Sequence, residues 1–401
     1  MRLIHTADWH LGQRFFGWDR IDEQRHALIQ LKEILRKTEA DALLVAGDIF
    51  DTVNPSSEAE RLYYNFLAEI RQENPSLEVV ITAGNHDSPY RLNAPASLLH
   101  QLGIKVVSTV QRTAQGIPDY SSLIHVIKGK GGSSISCLSL PYLRPGDFSF
   151  LSGEGNKMAQ FIDKAYKEAQ SLNHPVVIMA HLYISGASFK SMEEGKVYDT
   201  IGNEEAIPLS FFPSEASYIA LGHIHKPQKI GGYNHIRYAG SLLPNSFTEK
   251  DYTHGVLQVD IDSRGHTETQ LLEIEPPAKL QRVCGNEETL KKYLLDLPEK
   301  AIDYKAPYLQ LLLESEEPRP DLLSLFRTEV RGKYVRLANI VLKKKSSLNN
   351  KLHSRGQNIT LKERSPLEIA QLVYKENNDG SELPEDLIML FKKVEDSLQI
   401  K

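Results

Sequence analysis

The stretch Leu77-Glu78-Val79-Val80-Ile81-Thr82-Ala83-Gly84-Asn85-His86-Asp87 is an apolar, β-rich run that stops at a glycine, an amide, an imidazole and a carboxylate. This composition predicts a buried strand whose end opens to solvent. Such strand ends are where α/β proteins place their chemistry. Taken alone, Gly84-Asn85-His86-Asp87 reads equally well as an ordinary turn, so the rest of the chain decides.

Working outward, the pattern recurs. Leu3-Ile4-His5 runs towards Asp8-Trp9-His10, and Ala42-Leu43-Leu44-Val45-Ala46 runs into Gly47-Asp48-Ile49-Phe50-Asp51. Between these strands, Ile21 to Arg36 and Ser57 to Ile70 carry apolar residues at helical spacing. Strand–helix repeats predict a parallel sheet with one functional edge. Further on, Leu123 to Leu140 reads as a hairpin around Gly129-Lys130-Gly131-Gly132, and Lys157 to Leu172 as a helix. Pro175 to Ala180 reads as a strand stopping at His181, and Leu182 to Pro213 as a long functional loop. Tyr218 to Leu221 leads into Gly222-His223-Ile224-His225, and short strands from Gly231 to Glu275 end a first domain, 1–275, at Pro276-Pro277.

A second unit over 276–345 has the order strand (Leu280 to Cys284), helix (Glu287 to Leu297), strand (Tyr308 to Glu314), helix (Pro320 to Arg331), strand (Tyr334 to Leu342). It is an α+β domain of near-minimal size. Residues 346–364 are polar and aperiodic, as in a linker. Over 365–401, Ser365-Pro366-Leu367-Glu368 combines an N-cap, a proline at the first helical position and a capping box. Gly380 stops that helix, and a second one from Pro384 sets Leu383, Leu387, Leu390, Phe391, Val394 and Leu398 on one face. Two short amphipathic helices bury little of such a face against each other, so a partner surface is its expected destination, with packing onto the first domain as the alternative.

Composition bounds the function classes. A chain of 401 residues, 41% hydrophobic and 25% charged, is an ordinary globular protein of two or three domains. No apolar run approaches the roughly 20 residues of a membrane helix, and Met1 to Asp8 lacks the form of a signal peptide. Cys137 and Cys284, in apolar surroundings, predict two free buried thiols and a cytoplasmic setting. A net charge of −5 does not advertise a nucleic-acid binder. A metal site carries its own positive charge, however, and between Phe326 and Arg364 eleven lysines and arginines are opposed only by Glu329 and Glu363.

The polar strand ends supply carboxylates, imidazoles and an amide carbonyl, with no thiolate, a donor set suited to manganese-like divalent cations. Asp8 and His10 alternate with Trp9, and His223 and His225 with Ile224, so each pair projects to one side if the backbone stays extended. Two cations close together need a shared anion, and Asp48 is the candidate bridge. Asp8, His10 and His225 are then expected on one ion, and Asn85, His181 and His223 on the other. His86 stands beside the set as a general acid for the leaving oxygen, since imidazole titrates near neutrality; its structural alternative is a partner of Asp87. A water between the two Lewis acids would be the nucleophile. Asp51 reads as a turn or supporting carboxylate, and the remaining histidines, such as His5, His125 and His254, as structural.

The series Asp-x-His, Gly-Asp-x-x-Asp, Gly-Asn-His-Asp, a lone His and Gly-His-x-His resembles the calcineurin-like metallophosphoesterase superfamily. Thr6 to Gln13, Val45 to Thr52 and Leu143-Arg144-Pro145 further resemble the SbcD family of bacterial nuclease subunits. The resemblance implies a calcineurin-like α/β fold, a β-sandwich flanked by helices, with a small α+β capping domain that binds DNA and a C-terminal two-helix element. It implies a DNA nuclease with two Mn2+ (Mg2+ possible), acting as a 3′ to 5′ double-strand exonuclease and a single-strand and hairpin endonuclease in DNA end processing, repair and recombination. It also implies a homodimer built by helices near Asn93 to Leu102, and a heterotetramer with an SbcC-like coiled-coil ATPase clasped by 365–401. Arg14 and Arg91, a few residues past ligand motifs, are expected phosphate contacts. The rival readings are a cyclic-nucleotide or phosphoprotein phosphoesterase, which has no use for a capping domain and tail, and a non-catalytic scaffold, in which ligand positions would be lost.

Overall fold

The structure, a computed structural model, describes residues 1–151, 155–188, 200–201, 204–315 and 320–343, with 371, 374, 381–385 and 387–389. The linker expected over 346–364 and nearly all of the element expected over 365–401 lie outside the described residues.

Two six-stranded sheets face one another. The first has the order Thr267–Glu273, Gly255–Ile261, Arg2–Thr6, Ala42–Ala46, Glu78–Thr82, Ile104–Val107, and the second Gln228–Lys229, Ile236–Tyr238, Tyr218–Gly222, Val176–His181, Ser134–Leu140, Ile124–Lys128. In each sheet the strands that lead to the polar clusters are parallel to one another. Such strands are buried on both faces, which is why Ala42 to Ala46 and Val176 to Ala180 are continuous apolar runs without alternation.

Leu3, Leu44 and Val80 of the first sheet meet Val177, Met179 and Ala220 of the second in one apolar layer. Helices Ile21–Thr38 and Ser57–Glu73 cover the outer face of the first sheet, burying Leu28, Leu31, Phe66 and Leu67. Ser56 caps the second helix, its side-chain oxygen accepting from Ala59 N. Helix Lys157–Gln170 covers the outer face of the second sheet through Phe161, Ile162 and Ala165. Each large side chain so buried contributes about 1.5–3 kcal/mol. The four layers follow from these helical stripes and apolar strands. One point departs from the single sheet edge expected from the sequence. The strands ending at Thr6, Ala46 and Thr82 lie in one sheet and those ending at His181 and Gly222 in the other; hydrophobic periodicity identifies strands but does not assign them to sheets.

Leu280–Gly285, Tyr308–Glu314 and Arg336–Lys343 form a third, wholly parallel sheet. Helices Glu287–Leu295 and Pro320–Glu329 cover one face over a core including Leu290, Leu311 and Phe326. The opposite face meets the first body at Phe15, Phe247 and Tyr308, and Met1–Lys343 is one compact unit. Cys137 is buried between the sheets, and burial pushes its thiol up to about 12. The expectation that Cys284 is buried is corrected: it is exposed. Alternation along its strand sends Val283 towards the helices and Cys284 to the other side. In the stretch read as a long loop, the described residues hold a bridge between Ile184 and Ile207, a strand pair Thr200–Ile201 and Glu204–Glu205, and a turn at Leu209–Phe211.

Candidate metal centre

The ends of five strands meet at one end of the sandwich. The loop after Arg2–Thr6 is laced to the loop after Ala42–Ala46 by Asp8 N donating to Gly47 O (3.0 Å) and His10 N to Asp48 O (3.1 Å). Seven described non-glycine residues have positive φ, and four of them are Asp8 (52°), His10 (45°), Asp48 (51°) and His223 (100°). Each such residue stores on the order of 1–3 kcal/mol of strain, which persists where the surroundings over-determine it. This corrects the extended alternation expected of Asp8-Trp9-His10 and His223-Ile224-His225. Asp8 and His10 converge through left-handed backbone, while His223 and His225 turn to opposite ends of the cluster. Close approach also explains two glycines: a β-carbon on Gly84 would collide with Asp48, and one on Gly222 with the Ala46 carbonyl.

Asp48 sits at the centre. Its Oδ2 lies 3.6 Å from His10 Nε2 and 3.4 Å from His181 Nε2, and its Oδ1 accepts from the His86 backbone N at 3.0 Å. At one end, His10 Nε2 lies 3.2 Å from His225 Nε2. Ligand atoms of Asp8, His10 and His225 fall within 4.8 Å of one another, as do those of Asp8, Asp48 and His181. At the other end, Asn85 Oδ1 lies 3.0 Å from His181 Nε2 and 3.1 Å from His223 Nδ1. Asp8, His10, Asp48 and His181 are buried; Asn85, His223 and His225 are half-buried and His86 is exposed at the mouth. The side chains expected from the sequence thus do come together. The donor set of oxygen and imidazole nitrogen fits hard-to-intermediate divalent cations.

Hydrogen bonds fix which nitrogens face the centre. A carbonyl only accepts, so His181 Nδ1 carries the proton it donates to Ala46 O (2.8 Å) and leaves Nε2 as the donor atom. His225 Nδ1 donates to Glu249 Oε1 (3.1 Å) to the same effect. Glu249 does not stand out in the sequence. It lies in a short turn, Phe247–Glu249, among polar and charged neighbours, Thr248, Lys250 and Asp251, where a carboxylate carries no signal. His86 Nδ1 donates to Asp51 O (2.8 Å), so the alternative pairing with Asp87 does not occur. Asp87 instead accepts from Gly84 N, Ile49 N and Phe50 N and locks the loop.

Electrostatics match this arrangement. Burial raises Asp8 above the ordinary carboxylate range. Burial also opposes ionisation of Asp48, but the imidazoles of His181 and His10 outweigh it and hold Asp48 well below that range. Burial disfavours protonation of His181, yet Asp48 and Asp8 lift it to about 10; for His225, Glu249 overcomes burial and lifts it to about 9. Asp48 and Asp8 therefore draw positive charge to His181 at one end, and Glu249 draws it to His225 at the other.

Other expected residues lie elsewhere. Arg14 is exposed and donates to Gly17 O (2.8 Å), and Arg91 pairs with Glu60 at 3.4 Å. Asp51 faces His10 Nδ1 at 3.4 Å, a supporting position. His5 is structural: its Nδ1 lies 2.9 Å from the Tyr218 hydroxyl, and burial lowers it to about 3.

Residues 1–227 match the family model of calcineurin-like phosphoesterases, and 276–378 match that of the type 5 capsule protein repressor C-terminal domain. The chain is 34% identical over 360 residues to the SbcD component of the SbcCD nuclease of Rhodobacter capsulatus, covering 85% of this chain and 87% of that protein. The chain belongs to the SbcD family of calcineurin-like phosphoesterases. The protein of the same name from Escherichia coli K12 is 36% identical over 263 residues, 62% of each chain, and that of Bacillus subtilis 168 is 32% identical over 271 residues, 65% of this chain and 66% of that one. SbcD-family membership makes this a metal-dependent phosphoesterase with a nuclease role. Among the described residues no helix is long and apolar enough to cross a membrane.

Proposed function

We propose that this chain cuts DNA with two divalent cations, manganese first and magnesium as a substitute, as the nuclease component of a cytoplasmic complex with an SbcC-like coiled-coil ATPase. The observation that carries the reading is the convergence of Asp8, His10, Asp48, Asn85, His181, His223 and His225 from five strand ends. Asp8, His10 and His225 hold one cation, Asn85, His181 and His223 the other, and Asp48 both. When bound, the cations supply Lewis acidity and an acidified water.

The chain's own groups do the rest. His86, with Nδ1 fixed on the Asp51 carbonyl, keeps Nε2 for delivering a proton to the leaving oxygen, and its exposure leaves it open to an incoming strand. Arg14 and Arg91 meet flanking phosphates. The exposed pair of Arg91 with Glu60 is worth about 0–1 kcal/mol and is readily exchanged for a phosphate. DNA binding falls to the capping domain, 276–345, a reading supported by the packing of its Tyr308 on Phe15 and Phe247 of the nuclease domain, 1–275. Helices Pro89–Asn93 and Ala96–Gln101 leave Tyr90, Leu98 and Leu102 exposed at 85%, 64% and 42%, which supports a homodimer through this face. After the linker 346–364, the amphipathic element over 365–401 is the ATPase-binding segment.

The test is purified chain on linear duplex and hairpin DNA, with manganese or chelator, with and without the ATPase. The expected result is manganese-dependent shortening from 3′ ends and hairpin opening, and loss of ATPase association on deleting 365–401. Hydrolysis of cyclic nucleotides or phosphoproteins, with DNA left intact, would contradict the reading.

A further inference from the structure

Glu23, near the start of helix Ile21–Thr38, is a buried carboxylate that touches three parts of the chain. Its Oε1 accepts from Arg336 Nη1 (2.6 Å) and from the Tyr308 hydroxyl (2.7 Å), both on the third sheet, and its Oε2 from Arg20 Nε (3.2 Å). Glu23, Arg20 and Arg336 are 1%, 2% and 3% exposed, so water does not share in these bonds. Both guanidinium groups also bond outside the cluster. Arg336 donates to the carbonyls of Ala306 and Tyr304 and stacks over the Tyr308 ring at 3.7 Å. Arg20 Nη1 donates to Gln13 Oε1 (2.7 Å) and Pro244 O (2.9 Å).

Those last two contacts lie on the loop that carries His10 and on the loop that carries Glu249, the carboxylate that orients His225. Gln24, next to Glu23, donates to the His10 carbonyl (2.8 Å) and accepts from Gly12 N (2.9 Å). The loop that begins at Pro244 carries Asn245, whose N donates to Glu249 Oε2 (2.8 Å), and Glu249 orients His225. The third sheet grips the same loop directly: Arg282 Nη2 donates to Phe247 O (3.3 Å), and Phe247 packs with Phe15 and Tyr308. By contrast, His181 hangs on Ala46 of a central strand and the Asn85 loop on Asp87, supports that lie within the two main sheets and their loops.

We propose that Glu23, Arg20 and Arg336 form a positioning hub through which the seating of the third sheet sets the cation affinity of the His10/His225 end and leaves the Asn85/His181/His223 end unaffected. This rests on the two-cation reading above. Removing one member of a buried charge cluster leaves the others without partners, so the sheet and the two loops lose their common anchor together. The hub residues are positioning residues, since none reaches a ligand atom.

The test is calorimetric and electron-spin-resonance titration of the full chain with Mn2+, comparing wild type, His225→Ala, Arg336→Met and the double variant, with cooperative thermal melting as the folding check. His225→Ala identifies the binding event of its own end by deleting it. Arg336→Met is expected to weaken that same event by about 10–100-fold, the range for lost supporting contacts, with the other event unmoved and the double variant indistinguishable from His225→Ala. Tyr308→Phe, which keeps the ring and removes one bond to Glu23, is expected to give a shift of a few-fold in the same event, and keeps the test open should Arg336→Met not fold. Two unchanged events, or two events weakened equally, would overturn the hub. Retention of both events in His225→Ala would instead overturn the ligand assignment, and the hub with it.

Discussion

His181 and Asn85 stand at the ends of strands buried in the middle of the sandwich, whereas His10 and His225 are held by loops that reach the third sheet. The first pair is supported by neighbours in the two main sheets: Ala46 O orients His181, and three backbone amides on Asp87 hold the Asn85 loop. The second pair depends on Gln24, Glu249 and, through them, on residues more than 200 positions away in sequence. One end of the centre is therefore supported from within the two main sheets, and the other from the seat of a separate sheet. In the arrangement proposed above, folding of the core forms one cation site, and completing the interface with the third sheet forms the other.

Asp48 belongs to both ends, so breaking it erases the comparison. Asp48→Ala is expected to abolish binding of both cations and lower kcat by on the order of 10³-fold or more, beyond the loss of a single electrostatic group; metal analysis and a cleavage assay check this. His86→Ala lies outside either end. Cation stoichiometry should hold while DNA cleavage falls by about 10²–10⁴-fold, the range for a general acid. An activated aryl phosphodiester, whose leaving group needs no proton, should lose far less.

Glu249→Gln sharpens the difference between the ends. Loss of the carboxylate that orients His225 should weaken one cation by about 10–100-fold and spare the other, read by calorimetry. Proton release, the smallest effect, should show the ends to be alike. His225 at about 9 and His181 at about 10 are lifted by neighbouring carboxylates, so each holds a proton at neutral pH that an incoming cation must displace. Affinity at both ends should therefore rise with pH, by about tenfold per unit for each proton released, and the binding heat should change with the ionisation heat of the buffer.

Much of this was legible in the sequence because each ligand follows an apolar run: buried parallel strands have no alternation, and their polar ends stand out. Gly84-Asn85-His86-Asp87 could be read as a site because four other runs end in the same way. The support was not legible. Glu249 stands in a turn without period, and Glu23 looks like any acidic residue in the first turn of a helix, where it also favours the dipole. Its partner Arg336 is 313 positions away, and pairing at that distance leaves no local trace. The left-handed backbone at Asp8, His10, Asp48 and His223 was equally hidden, since none is a glycine. The exposure of Cys284 is hidden too, because an apolar neighbourhood in sequence says nothing of which side of a strand a residue takes.

Anomalous diffraction from crystals equilibrated with Mn2+ locates the cations and their ligands outright. Two peaks are expected to flank Asp48, one within bonding distance of Asp8, His10 and His225 and the other of Asn85, His181 and His223. A single peak, or a pair that does not share Asp48, would contradict this arrangement.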